Sequence, residues 1–313
     1  MTNPLTNPIF TDKEKARTYL EKLLWADGRV CGYCGTVDES TPIRGREGYY
    51  QCNACRKQFT VQVGTVFERS HIPLNKWLMA AFLLCASKKG MSAHQMSRML
   101  GITYKSAWFM CHRLREAMAP LGSVFGPLGG EGKTVEADTT YIGGKEKNKH
   151  RNKRTAGNIG GAGKQIVHTL VERGGRACSN HIANVAGKTL RPVVMKQVSR
   201  KSTLMTDTAG GYMAMGKEFV RHEMVDHGAG EYVRGDAHSN TVEGYFSVLK
   251  RGIVGTYHHV SEAHLKRYLA EFDFRYSERS ALGVDDSLRA TKALQGIVGK
   301  RLTYRRTNEA TNS

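Results

Sequence analysis

VEADTTYIGG, residues 135–144, decides how the second half of the chain reads. Val135, Ala137, Thr139 and Tyr141 recur at a period of two, which puts them on one face of an extended segment and Glu136 and Asp138 on the other. Lys133–Ile142 is therefore expected as a strand with a carboxylate at its middle. Ile166–Glu172 and Ala177–Val185 alternate in the same way around Gly174-Gly175, the pattern of a hairpin. A helix candidate then leads to a strand over Ser202–Asp207 and another near Phe219–Val225. Helices are expected over Thr241–Arg251 and Ser261–Tyr276. This order predicts an α/β domain, a mixed sheet flanked by helices.

The acids on these elements suggest a chemistry. Asp138 lies mid-strand and Asp207 ends its strand, so the two converge if those strands are neighbours. Carboxylates are hard oxygen ligands that suit Mg²⁺ or Mn²⁺. Two such ions about 3.5–4 Å apart can activate an attacking hydroxyl and stabilise a leaving oxygen at a phosphodiester. A third ligand is expected from the helix after Asn240. There Val242, Tyr245, Phe246 and Leu249 form one stripe, and Asn240, Glu243, Ser247 and Lys250 form a second, polar face. Two readings of that face stand side by side. In one, Glu243 faces the metals and Lys250, two turns on, reaches DNA phosphate. In the other, Asn240 is a helix N-cap and Glu243 its partner at N3, a capping box. Glu136, Asp236 and His238 are near enough to substitute as ligands.

Upstream the pattern is helical. Pro120–Gly132 is a Gly/Pro-rich linker and the strongest boundary in the chain. Before it, helices are expected over residues 12–25, around Trp77–Leu84, over Ser92–Met99, and through Ala107, Met110, Cys111, Leu114, Ala117 and Met118 at a 3.6-residue period. Met91–Met118 thus reads as helix, turn at Gly101, helix, either a helix-turn-helix or an ordinary helical hairpin. In the first case Lys105, Ser106, Phe109, His112 and Arg113 face away from the apolar stripe, and Lys105 and Arg113 meet DNA phosphate.

Cys31-x2-Cys34 and Cys52-x2-Cys55, 17 residues apart, have the spacing of a four-thiolate zinc site. Cys85 and Cys111 sit among apolar helical residues and read as core. Seven cysteines, four of them in two close pairs, favour a metal site in a reducing compartment over disulfides. The chain has 313 residues and 47 Lys and Arg against 28 Asp and Glu, a formal charge of +19. Such an excess attracts polyanions, nucleic acid first. The N-terminus lacks the pattern of a secretory signal, and the longest apolar run, Trp77–Ala86, is too short for a membrane span. A cytoplasmic, nucleoid-associated protein is expected. The insert Lys145–Lys164 is basic and Gly-rich, readable as a DNA-gripping arm or as a solvated loop.

With these residues in view, the chain resembles the zinc-ribbon DDE transposases of bacterial insertion sequences, whose catalytic part is an integrase-like domain of RNase H type. The likeness runs through CGYCG, YQCNACRKQFTVQVGTVF and KWLMAAFLLCASKKGMSAHQMSRMLGITYKSAWFMCHRLREAM, then VEADTTYIGGKEK, TDTAGGY, HSNTVEGYFSVLKRGIVGTYHHVS and LAEFDFRYSER. It implies an RNase H-like α/β domain preceded by a zinc ribbon and a helix-turn-helix. The expected boundaries are a ribbon within 1–70, a helix-turn-helix domain over 71–120, a linker over 121–132, the catalytic domain over 133–285 and a basic tail over 286–313. It implies Asp138 and Asp207 as the first two catalytic acids, and gives Glu243 and Lys250 the E-x6-K spacing of the DDE signature. Some relatives carry Asn or His as the third ligand, which makes Asn240 the rival of Glu243. The implied reaction is hydrolysis at the ends of the element followed by strand transfer. Oxygen attacks phosphorus directly, with no covalent protein–DNA intermediate. Structural Zn²⁺, two catalytic Mg²⁺ or Mn²⁺, double-stranded DNA and a homo-oligomer on that DNA are expected. The alternative is a non-enzymatic DNA-binding regulator descended from an inactivated transposase.

Overall fold

The computed structural model describes residues 4–120, 126–144, 150, 152, 161, 163–208, 210–225 and 233–303. Most of the basic insert 145–164 lies outside them. The chain divides into two units: residues 1–87, 91–119 and 285–313, and residues 88–90 and 120–284.

The first unit opens on α1 (Lys13–Leu24), where the Asp12 carboxylate accepts from the Glu14 and Lys15 amides and so satisfies two orphan donors. A small antiparallel sheet follows: β1 (Ser40–Pro42), β2 (Tyr50–Cys52) and β3 (Gln58–Phe59). α2 (Leu74–Ala86) is buried along most of its length, from Trp77 to Cys85. α3 (Ala93–Leu100) is capped by Ser92 and closes on Gly101, whose φ of +59° is the left-handed C-cap that glycine adopts without strain. α4 (Tyr104–Met118) starts at Thr103, whose hydroxyl accepts from the Ser106 amide.

The second unit is built on a five-stranded sheet. Its strands are β4 (Thr134–Ile142), β5 (Gln165–Glu172), β6 (Ala177–Ile182), β7 (Thr203–Asp207) and β8 (Arg221–Val225), in the order β6-β5-β4-β7-β8. β4, β5 and β6 form an antiparallel meander, while β7 and β8 run parallel to β4. This mixed sheet with flanking helices is the architecture expected of an RNase H-like transposase domain. A short hairpin, β9 (Val233–Arg234) with β10 (Ala237–His238), is a separate two-stranded sheet that packs on β7 and β8 through Ala237, Met205 and Val225.

The alternation read from the sequence sorts the core. Val135 and Ala137 of β4 pack with Leu204, with α5 (Gly187–Gln197) and with Tyr212 of the short α6 (Gly210–Met213). On the other face, Ile142, Val167 and Val171 pack under α7 (Asn240–Gly252) and α8 (Glu262–Ser277) through Val242, Tyr245, Phe246, Leu249, Leu269 and Phe272. α7 and α8 therefore cover the face to which Glu136 and Asp138 belong.

Two expectations need correction. Arg113 and His112 were expected on the exposed side of α4 but are 9 % and 1 % exposed. The Arg113 guanidinium donates to the Glu68 carbonyl at 3.1 Å and lies over the Phe109 ring. The segment between β3 and α2, which holds Glu68, therefore meets this side of α4. α9 (Asp286–Gln295) lies in the stretch expected as a basic tail, and it contacts both α2 and α4. Its Arg289 donates to the Cys85 carbonyl at 3.0 Å. A helix covered on two sides cannot be read from one apolar stripe. Cys85 and Cys111 are buried, 1 % exposed each, as their neighbours suggested.

Candidate metal and nuclease sites

The four cysteine sulfurs of the small sheet lie within 4.8 Å of one another. Cys31 and Cys55 are 3.7 Å apart, Cys34 and Cys52 3.6 Å. A tetrahedron with Zn–S bonds of about 2.3 Å has sulfur–sulfur edges of about 3.8 Å, so the set fits zinc. The Thr36 hydroxyl and amide bring the Cys34 thiol down to about 6, toward the thiolate that a metal binds, whereas burial pushes Cys31 up to about 11.

In the second unit, the parallel register pairs Glu136 with Met205 and Ala137 with Thr206. The ladder ends at that pair, and Asp138 and Asp207 are the next residues on the two neighbouring strands, which by alternation places their side chains on one face. Both acids are half-buried. On the opposite face, the Tyr212 hydroxyl meets Thr139 Oγ1 at 3.3 Å and His168 Nδ1 at 3.1 Å. Burial first, then the charges of Asp138 and Asp207, push the Tyr212 phenol far above its ordinary range, so both carboxylates act on one point. Burial also holds His168 down at about 4, keeping it neutral beneath the acids.

Glu136 has a different part from its neighbour. It is fully buried, and its carboxylate accepts from Arg173 Nε at 2.6 Å, Thr241 Oγ1 at 2.8 Å and the Val242 amide at 2.9 Å. His238 Nδ1 stands 3.3 Å away. Arg173 also donates to the carbonyls of Asp236 and His238. Glu136 is thus the anion at the N-terminus of α7, where the helix dipole and an orphan amide favour it. This replaces the capping box, one of the two readings of Asn240 and Glu243. The N-cap is Ser239, and Glu243, one position beyond N3, accepts from the Ser239 hydroxyl at 3.0 Å. Glu136, Asp236 and His238 serve this clamp, an arrangement that spacing alone did not reveal.

Asn240, Glu243 and Lys250 are all exposed on α7. Among the described residues, the four cysteines are the only set of three or more His, Cys, Asp or Glu with ligand atoms within 4.8 Å, so Glu243 is not gathered with Asp138 and Asp207 into such a set. Lys105 is exposed on the first turn of α4, beside Tyr104, whose ring stacks on His94 of α3 at 4.1 Å. No helix among the described residues is long and apolar enough to cross a membrane.

With this geometry in place, comparison with known proteins is decisive. Residues 127–277 match the ISXO2-like transposase domain and residues 11–58 the transposase zinc-ribbon domain. The chain carries a transposase zinc ribbon followed by a transposase domain. A relative, an uncharacterized protein in transposable element ISH50 of Halobacterium salinarum, is 29% identical over 283 residues, 85% of this chain and 91% of the relative. The first match spans the sheet, α7 and α8, and the second ends three residues past Cys55. The transposase ribbon thus accounts for the cysteine cage, and the transposase domain for the strand pair that carries Asp138 and Asp207.

Proposed function

We propose that this transposase binds the ends of an insertion element and catalyses metal-dependent phosphodiester hydrolysis and strand transfer. Asp138 and Asp207 are its first two acidic ligands, and Glu243 is the third. The observation that supports this reading is the parallel pairing of β4 with β7 in a transposase domain, because Asp138 and Asp207, both half-buried, directly follow the last pair of that register. Two neighbouring anions repel each other, and a divalent cation relieves that repulsion. Mg²⁺ or Mn²⁺ held there would activate the attacking oxygen and stabilise the leaving one. The protein's own part is placement. The ladder places the strands that carry Asp138 and Asp207, and Glu136 fixes the start of α7, one turn before Glu243. Hard anionic oxygen favours Glu243 over Asn240 as the third ligand.

End recognition falls to the zinc ribbon and to the α3–α4 pair acting as a helix-turn-helix. In that motif the N-terminal residues of the second helix meet base edges and phosphates. With Arg113 buried, the candidates are Lys105 and its neighbours Thr103 and Tyr104, all exposed. DNA as substrate places the protein in the cytoplasm with the nucleoid.

The test is a cleavage and strand-transfer assay on duplexes carrying the element ends, with Mg²⁺ or Mn²⁺. Asp138→Asn and Asp207→Asn should each abolish both steps and leave DNA binding intact. Glu243→Gln should be nearly as damaging, and Asn240→Ala should be tolerated; the reverse pattern assigns the third ligand to Asn240. A wild-type protein that binds the ends but cleaves with neither metal would instead be a non-enzymatic regulator.

A further inference from the structure

Within the second unit, α7 does not end cleanly at Gly252. The chain continues as a π-helical turn, Ile253–Tyr257, and leaves it through His258 at a φ of +61°. Such wide turns are uncommon and are frequent at functional sites. Here the turn exposes Val254, 70 % accessible, and Gly255 beside Lys250 and Arg251, while Ile253 stays buried.

A separate piece of chain, Lys88–Gly90, is seated against this turn by close approaches. A Cβ on Gly252 would stand 2.8 Å from the Lys89 carbonyl oxygen and against the tip of the Phe272 ring. A Cβ on Gly90, whose φ is +90°, would overlap the Tyr257 hydroxyl. That hydroxyl donates to Glu271 at 2.6 Å, and the Tyr257 ring packs edge-on against Tyr268 at 4.7 Å. Glu271 is itself fully buried and paired with Arg275. The backbone under Lys89 is therefore set into α8 and the π turn at two glycines, where no other residue fits.

The result is a cleft of about 670 Å³ lined by Lys89, Lys250, Arg251, Val254, Gly255 and Thr256. Three cations from two distant parts of the sequence meet there, and no acid is among the lining residues. Arg251 is steadied by donating Nε to the Ser247 carbonyl at 3.0 Å, and Lys250 lies 5.8 Å over the Phe246 ring. Converging like charges cost free energy unless an anion answers them, and an exposed trough suits a chain of anions better than a compact ligand. Val254 and Gly255 add an apolar strip of the kind a sugar edge can rest on.

We propose that this cleft holds the phosphodiester backbone of DNA, a contact independent of base sequence, with Lys89 and Arg251 as its new members beside Lys250. The proposal rests on the transposase reading only in taking DNA as the polyanion.

The test measures affinity without metal, so that catalysis plays no part. Full-length protein is titrated against an element-end duplex and a random duplex across a salt series. Lys89→Gln should reduce the salt slope on both duplexes by about one unit, and Lys89→Gln with Arg251→Gln by about two, since each lost phosphate contact removes about 0.9. Thermal unfolding of each variant separates lost contacts from lost folding, and Lys89→Arg should restore the slope. An unchanged slope in folded variants overturns the cleft, as does a loss confined to the element-end duplex. Binding to phosphatidylserine vesicles that the same variants abolish, with DNA affinity untouched, overturns it in favour of a membrane surface. A wild-type chain that binds neither duplex defeats the transposase reading itself.

Discussion

A carboxylate sealed from water persists as an anion only if its charge is answered, and at Glu136 the answer comes from Arg173, Thr241 and an α7 amide together. Removing one member of such a buried set leaves the others unpaired. Glu136→Ala should therefore lower the unfolding free energy by about 3 kcal/mol, the low end of the range for a broken buried pair, because Arg173 is partly exposed. Asn240→Ala removes an exposed side chain that makes no cap bond and should change stability by less than about 0.5 kcal/mol. Urea unfolding of both variants checks this, and equal losses would reinstate Asn240 as the cap. The sequence places Glu136 two residues before Asp138 on the same face, which makes it look like a spare ligand. Nothing local shows that Arg173, across a hairpin, and Thr241, 105 residues on, return to it. Periodicity reports which way a side chain points but not what arrives from elsewhere to meet it.

At the scale of elements, legibility followed the number of faces each element buries. β4 carries different partners on its two faces, and its alternation was readable from Val135 to Tyr141. α4 is packed against α2, α3 and α9 and also meets the Glu68 carbonyl through Arg113, so one apolar stripe could not place Arg113. The zinc ribbon was legible for another reason, since ligand spacing is fixed by the metal rather than by the core. That core is small: Cys31, Tyr50, Cys52 and Phe59 are its buried members, with Trp25 edge-on to Tyr50 at 5.4 Å. Strands of three, three and two residues supply too little apolar burial to hold it alone. The metal must supply much of the folding free energy. One zinc per chain is expected by elemental analysis. A strong chelator, or Cys52→Ser, should open residues 27–60 to proteolysis and weaken end binding, while residues 163–208 and 233–284 remain protected. Persistent protection of the ribbon after complete zinc removal would show that its core suffices.

At the scale of the whole molecule, the chain offers one Asp138–Asp207 pair, whereas an insertion element has two ends to process. If the proposed function holds, joining both ends to one target calls for at least two chains on the DNA, each supplying its own acids. Closed homo-oligomers are the common solution to that requirement. On the proposed function, the excess of positive charge would keep free copies apart and make DNA the agent that gathers them. This arithmetic can be measured by mixing. Asp138→Asn protein should bind ends as well as wild type, because the substitution alters neither the ribbon nor the α3–α4 pair. In an equal mixture, concerted two-end transfer should fall to about one quarter if two chains act together, against about one half if each chain acts alone. Single-end cleavage, where each chain cuts the end it binds, should fall only to about one half in the same tubes. A two-end yield that tracks the single-end yield would mean that one chain serves both ends in turn, and the acids of a single β4–β7 pair would then have to be reloaded between them.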